Sequence, residues 1–375
     1  MIYPRFLKPG DRVGIPAPSA GIDESHLPEY LHSLEALRRR GWQVEETESV
    51  RSGLLPSAPP QKRAEEFNRL AEDEGVGGIL CAAGGDFLVE LLPYVHWEAL
   101  RRSPKWVQGY SDPTGLLFPI TTLLDIATVY GPNAGGYGME PLHPALEYSL
   151  SLLEGRVAPQ RSFSRWQPPL TGRSDGSYLL QRPVCWETPC GPVRAEGRLL
   201  GGCLDCLENL RGTPYEDAAG FARRYAADGI VWYFDIFAQT ADQVFYSLWS
   251  MKQAGWFKTA RAFLFGRVMF PQGDYPPGAG RRGHRLERGY RPCEAGLYPD
   301  QRRYGPGGRR RRPGHAGNGA ESMNEQSMNA AAFDRWQATY DADVLACNQA
   351  GEYPFAGYCQ LMEQLFQLVH SREGV

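Results

Sequence analysis

The chain has 375 residues, 42% of them hydrophobic and 22% charged, with a formal net charge of −3. That length supports two domains with cores of their own, and the slightly acidic balance argues against a polyanionic partner such as nucleic acid. No stretch approaches the ~18 apolar residues of a membrane span, the start Met1-Ile2-Tyr3-Pro4-Arg5 lacks the apolar core of a secretory signal, and eight cysteines in a chain this long do not read as a disulfide scaffold. The expected compartment is therefore the cytoplasm, with no membrane partner.

Taken in order, residues 12–18 read as a first strand that ends in Ser19-Ala20-Gly21. Leu27, Leu31, Leu34 and Leu37 then fall on one face of a helix ending near Gly41. The proline-rich stretch Ser52–Gln61 is a loop, and Ala64, Phe67, Leu70 and Ala71 mark a second amphipathic helix over 61–73. Val76–Cys81 is a strand, Gly84-Gly85-Asp86 a turn, and Leu88, Leu91 and Leu92 continue into a helix. Strands alternating with helices predict a parallel α/β sheet, in which ligands bind at loops beyond the C-terminal strand ends.

Two such loops carry chemistry. Trp106–Gly109 reads as a short buried strand followed by a turn and then a helix with Leu116, Leu117, Ile120, Leu123 and Leu124, so Ser111 falls on the strand-to-helix corner. Free helix amides there can stabilise an oxyanion beside a nucleophilic serine, although a serine at a helix start is also a common N-cap. Gly84-Gly85 permits close backbone approach to a ligand. It lacks the pattern of a Walker or dinucleotide loop, which leaves an oxyanion site opposite Ser111 or a plain tight turn.

Further on, Ala127–Tyr130 reads as a strand, Gly131–Gly138 as a glycine-rich loop and Leu142–Glu154 as a helix, with His143 as a surface histidine. A second apolar section begins at Gly197. It holds a helix through Leu210, a strand at Gly229–Asp235, a helix over 243–254 and a strand at Ala262–Arg267. Trp232, Trp249 and Trp256 lie in periodic apolar segments and read as core. Cys203 and Cys206 have no second pair at zinc spacing and read as small apolar packing residues.

The order of these motifs resembles the LD-carboxypeptidase family of serine peptidases, which includes muramoyl-tetrapeptide carboxypeptidases and microcin C immunity peptidases. The matching residues are Ala17-Pro18-Ser19, Gly84-Gly85-Asp86-Phe87, Gly109-Tyr110-Ser111-Asp112 and Gly131-Pro132. In the second half they are Gly201-Gly202-Cys203-Leu204, Gly212-Thr213-Pro214 and Ala254-Gly255-Trp256-Phe257 leading to Gly266-Arg267. The resemblance implies an α/β protein with a flavodoxin-like N-terminal parallel-sheet domain at 1–155. A crossover linker follows at 156–195, then a smaller mixed α/β C-terminal domain, truncated, at 196–275. It also implies Ser111 as nucleophile of a Ser-His-acid triad and the N–H groups of Asp112 and the Gly84–Gly85 turn as oxyanion donors. The substrate it implies is a short peptide with a free carboxylate, with no cofactor or metal, in a homodimer.

Two departures stand out. The family's acidic position, normally Glu, falls on Asp235, one methylene shorter in reach. After Arg267 the pattern that should deliver the triad histidine is lost. Residues 276–320 hold eleven arginines and no lysine, with His284 and His315 the only histidines of the region, and His315 lies nearer the expected place. Residues 276–322 therefore read as an irregular or disordered segment that fits coding sequence translated out of frame. Residues 323–375, with the helical run Leu361–His370, resemble the lead-in of a class I methyltransferase. The expected function is a serine carboxypeptidase-type hydrolase acting on a muropeptide or a peptide antibiotic, with Ser111, Asp235 and His315 as its triad. The alternatives are a catalytically inactive peptide-binding relative and, less favoured, a nucleic-acid binder using the arginine-rich arm.

Overall fold

The computed structural model describes residues 1–168, 177–184, 186 and 193–270, all of one compact unit. His284, His315, the arginine-rich run and the segment 323–375 lie outside the described residues. The first half contains β1 (Arg12–Ile15), α1 (Leu27–Arg39), β2 (Gln43–Glu46), α2 (Pro60–Glu72), β3 (Val76–Leu80), α3 (Trp97–Arg102), β4 (Trp106–Gly109), α4 (Thr114–Leu124), β5 (Val129–Tyr130) and α5 (Pro144–Leu153). Its five strands pair in parallel in the order β2-β1-β3-β4-β5, the flavodoxin-like order of a doubly wound sheet.

Both faces of this sheet are covered, which explains why β3 and β4 are buried at every residue. Along β1 the side chains alternate. Val13 and Ile15 join α1 and α5 in a core with Leu34, Leu37, Leu146, Leu150 and Trp106. Gly14 faces Leu70 of α2 on the opposite side. The buried stripe of α1 runs through Tyr30, Leu34 and Leu37. Leu31 sits beside that stripe and is exposed, a departure from the expected leucine face. Leu88–Tyr94 forms a tighter 3₁₀ segment rather than an α-helix, consistent with Pro93 inside it. The last strand is shorter than expected, because the chain reaches the sheet only at Val129.

A two-stranded antiparallel ladder, β6 (Arg165–Trp166) with β7 (Arg182–Pro183), lies in the crossover. The second half contains β8 (Arg198–Cys203), α6 (Leu204–Leu210), α7 (Ala218–Arg224), β9 (Ile230–Asp235), α8 (Ala241–Gln253) and β10 (Ala260–Phe265). Its strands pair in parallel in the order β10-β9-β8. Helix α7 has no counterpart in the sequence expectation, since its Ala-rich run carries little periodic signal.

Helix α4 joins the two halves. Ten of its eleven residues are buried, as befits a helix that is apolar on every side. One side packs on β4, the other on β8, α6 and α7. Phe118 stacks on Trp256 at 5.2 Å and Trp256 on Trp232 at 5.8 Å, so an aromatic column runs from α4 into the second sheet. The N–H of Cys203 donates to Thr114 Oγ1 at 3.0 Å. Trp232 and Trp256 are core, as expected, but Trp249 is 46% exposed. The buried stripe of α8 is Val244, Ser247, Leu248 and Met251, and position 249 lies one helical step off it. Replacing Trp256 by Ala is expected to destabilise the chain by about 3–5 kcal/mol. Trp249→Ala should cost under ~1 kcal/mol. Urea denaturation of the two variants checks the contrast.

Candidate active site

Between β4 and α4 the chain turns sharply. Pro113 caps the helix, and Ser111 adopts φ +66°, a left-handed conformation that costs a non-glycine residue about 1–3 kcal/mol. The strand, strained turn and helix form the arrangement of a nucleophile elbow. Three sets of hydrogen bonds hold it. The N–H of Thr114 donates to the Ser111 carbonyl at 2.9 Å. Asn133 pairs with the backbone of Tyr110, accepting its N–H at 3.2 Å and donating to its carbonyl at 3.4 Å. The N–H of Ser111 itself donates to the Tyr130 hydroxyl at 3.1 Å, and that hydroxyl donates to Asp235 Oδ2 at 2.7 Å. The Ser111 side chain is half-buried.

The Gly84–Gly85 turn lies against this serine. A Cβ at position 84 would stand 3.2 Å from Ser111 Oγ, and Gly85 has φ +143° with space for a Cβ only 2.7 Å from Ser19 Oγ. Glycine at position 84 lets the backbone approach the Ser111 hydroxyl, and glycine at 85 lets it pass close to the loop after β1. Among the described residues the N–H groups of Gly85 and Asp112 make no hydrogen bond.

The Asp112 carboxylate ties the loops together. It is buried, accepts the Ser19 hydroxyl, and accepts the Leu88 N–H at 3.0 Å. Burial pushes its carboxyl up to about 6, against the downward pull of those two hydrogen bonds. Behind it Arg63 is fully buried. Its guanidinium donates to the carbonyls of Ala58 (2.9 Å), Pro18 (2.8 Å) and Phe87 (3.2 Å) and to Glu90 at 2.8 Å. One side chain thus fixes the loop after β1, the loop before α2 and the loop after β3.

The structure brings Ser111, Gly84, Gly85 and Asp112 into one place and connects Asp235 to Ser111 through Tyr130. Burial raises the Asp235 carboxyl above its ordinary value, with the Asp205 carboxylate adding to the rise and the Tyr130 and Ile236 hydrogen bonds opposing it. His315 lies outside the described residues. His143 is not a plain surface histidine. Its ring caps α5 by accepting the Ala145 N–H at 3.2 Å and packs on Phe163 and Tyr178. Among the described residues no cluster of three or more His, Cys, Asp or Glu side chains is arranged to hold a metal ion.

Tyr130, Asn133 and Arg63 escape the sequence reading as site residues. Arg63 carries a usable signal, since it falls on the buried stripe of Phe67 and Leu70 at helical spacing. The Asp112 arrangement gives a measurable pH effect. Between its ordinary 3.8 and about 6, the folded chain retains a proton that the unfolded chain releases. The group's contribution to stability therefore falls as pH rises through that window and is level above it. Asp112→Asn removes this slope. Relative to the parent, its denaturation free energy should rise by about 3 kcal/mol between pH ~4 and ~6.5, at about 1.4 kcal/mol per pH unit. Parallel stability curves for the two chains would contradict the assignment.

Comparison with known proteins extends these observations. The profile of the LD-carboxypeptidase N-terminal domain matches residues 13–131, and that of the LD-carboxypeptidase C-terminal domain matches residues 196–285. A Vibrio cholerae serotype O1 protein named as a carboxypeptidase is 35% identical over 57% of this chain and 66% of its own length. The microcin C7 self-immunity protein MccF of Escherichia coli is 26% identical over 56% of this chain and 63% of its own. The chain thus spans about two thirds of the length of the curated relatives it matches. Among solved structures, an MccF-like protein from Bacillus anthracis superposes with a TM-score of 0.62 at 20% identity, covering 72% of this chain and 82% of that one. MccF in complex with aspartyl sulfamoyl adenosine gives 0.60 at 22% identity, covering 75% and 84%. With both halves of the family matched in order, the chain belongs to the LD-carboxypeptidase family.

Proposed function

We propose that this chain is a serine-type peptidase that cleaves a short peptide, or a peptide-like conjugate, carrying a free carboxylate. The observation that carries the reading is Ser111, strained at the elbow between β4 and α4 with the Gly84–Gly85 turn against its hydroxyl. Family membership supports it, as do relatives named for microcin self-immunity and, in Bacillus subtilis, as a "Probable murein peptide carboxypeptidase". MccF has been solved with aspartyl sulfamoyl adenosine, an aminoacyl-nucleotide analogue. A peptide–nucleotide conjugate therefore stands beside a muropeptide as a candidate substrate class.

In this reading the Ser111 hydroxyl attacks the scissile carbonyl carbon while a histidine takes its proton. The carbonyl oxygen becomes an oxyanion and accepts the N–H groups of Gly85 and Asp112. Collapse expels the amine, which receives the proton, and water then releases the acyl group from the serine. The first half of the chain supplies the nucleophile and the oxyanion donors, and the second half supplies Asp235. The sequence favours His315 as the base.

A second reading, binding without turnover, is favoured by one observation. The Asp235 carboxylate is occupied by the Tyr130 hydroxyl and the Ile236 amide rather than by an imidazole among the described residues. A fluorophosphonate probe together with a panel of muropeptides and aminoacyl-sulfamoyl nucleosides separates the two. The expected result is labelling at Ser111 and turnover that falls by at least ~10³-fold in Ser111→Ala and in His315→Ala. Tight binding with no turnover in the parent chain would establish the second reading. Turnover unaffected by Ser111→Ala would remove the first.

A further inference from the structure

Tyr130 occupies a position that the triad description does not use. It sits at the end of β5, beside Gly109 in the parallel ladder, with its ring against Tyr233 of β9 at 5.7 Å. Its hydroxyl makes two hydrogen bonds of opposite sense, accepting the Ser111 N–H and donating to Asp235. The phenol is held well above its ordinary pKa by burial and by the neighbouring Asp235 carboxylate, so the donated proton stays on the phenol.

A main-chain N–H at a left-handed residue points away from the regular ladder and needs a partner of its own. Here that partner is a side chain whose oxygen is polarised by a carboxylate, and a hydrogen-bond chain of this kind is stronger than its isolated members. Asp235 lies at the C-terminal end of β9, opposite Cys203 in the neighbouring strand. The chain of bonds therefore runs from the second sheet, through β5, to the backbone of the elbow.

We propose that Tyr130 is a positioning residue through which Asp235 holds the Ser111 backbone in its attacking conformation. Asp235 then acts on the nucleophile's main chain, across the seam between the two sheets, and not solely on a histidine. This inference rests on Ser111 being the nucleophile, as proposed above. The Ser111 N–H, being committed to Tyr130, takes no part in the oxyanion site, which is left to Gly85 and Asp112.

The test uses the full chain and two nearly isosteric changes, Tyr130→Phe and Asp235→Asn, singly and together. Two quantities are read. Amide hydrogen exchange at Ser111 needs no turnover, and peptide hydrolysis is resolved into kcat and KM. Each single change is expected to accelerate exchange at Ser111 by about tenfold or more, and to lower kcat while KM stays within about twofold. In amide exchange the double variant should match Tyr130→Phe alone, because removing the intermediary removes the hold of Asp235 on the Ser111 backbone. Asp235→Glu, which keeps the charge, should restore part of the protection that Asp235→Asn loses. Unchanged exchange in Asp235→Asn, or exchange effects of the two changes that simply add, would overturn the inference. Absence of probe labelling at Ser111 would instead remove the nucleophile assignment, and the exchange data would still decide whether the strut exists.

Discussion

Helix α4 is enclosed on every side, and the arrangement of the site follows from that enclosure. A helix whose residues are nearly all apolar has no face to offer to water, so it has to lie between two packed layers. The first layer is the five-stranded sheet that precedes it. The second is assembled much later in the chain, from β8 and the helices after it. Because Ser111 stands at the N-terminal end of this helix, the serine is fixed at the seam where the two layers meet, with groups from both within reach.

The strain at Ser111 is offset locally. Its carbonyl, its N–H and the peptide before it are each bound, by Thr114, Tyr130 and Asn133. The loops facing it are fixed from behind by a buried charged network. Arg63 satisfies three carbonyls and Glu90, while Asp112 takes a hydroxyl and an amide. Networks of this kind add little net stability after desolvation, but when their members are satisfied they specify one geometry. The loops around Ser111 are held in place by this polar network, while the helix behind is held by apolar contact.

Much of this was legible in the chain itself, and the limits were physical. Periodicity found α1, α2, α4 and α8, because amphipathic or wholly apolar spacing survives without tertiary context. The Gly84-Gly85 pair after an apolar run marks one loop of the site, and the turn from a short apolar strand into a helix at Gly109–Ser111 marks the other. The strand order could not be read that way, since alternation of strands and helices is compatible with several parallel orders. Trp249 and Leu31 each lie one position from a buried stripe, and only packing decides which side of the stripe faces inward. Tyr130 and Asn133 were missed because their roles arise from contacts with the elbow and Asp235, which spacing does not encode. Arg63 was missed for a different reason, being a charged residue on an apolar stripe where burial is the exception.

The dependence of α4 on two layers also has a temporal side. A ribosome delivers the chain from its N-terminus at ~5–20 residues per second, so α4 emerges on the order of ten seconds before Trp256, on which Phe118 stacks. During that interval the aromatic surface of Phe118, destined for Trp256, has no partner. The nascent first half thus carries an apolar ridge that a chaperone holdase can shield, and its solubility during synthesis is set by how soon the second sheet arrives.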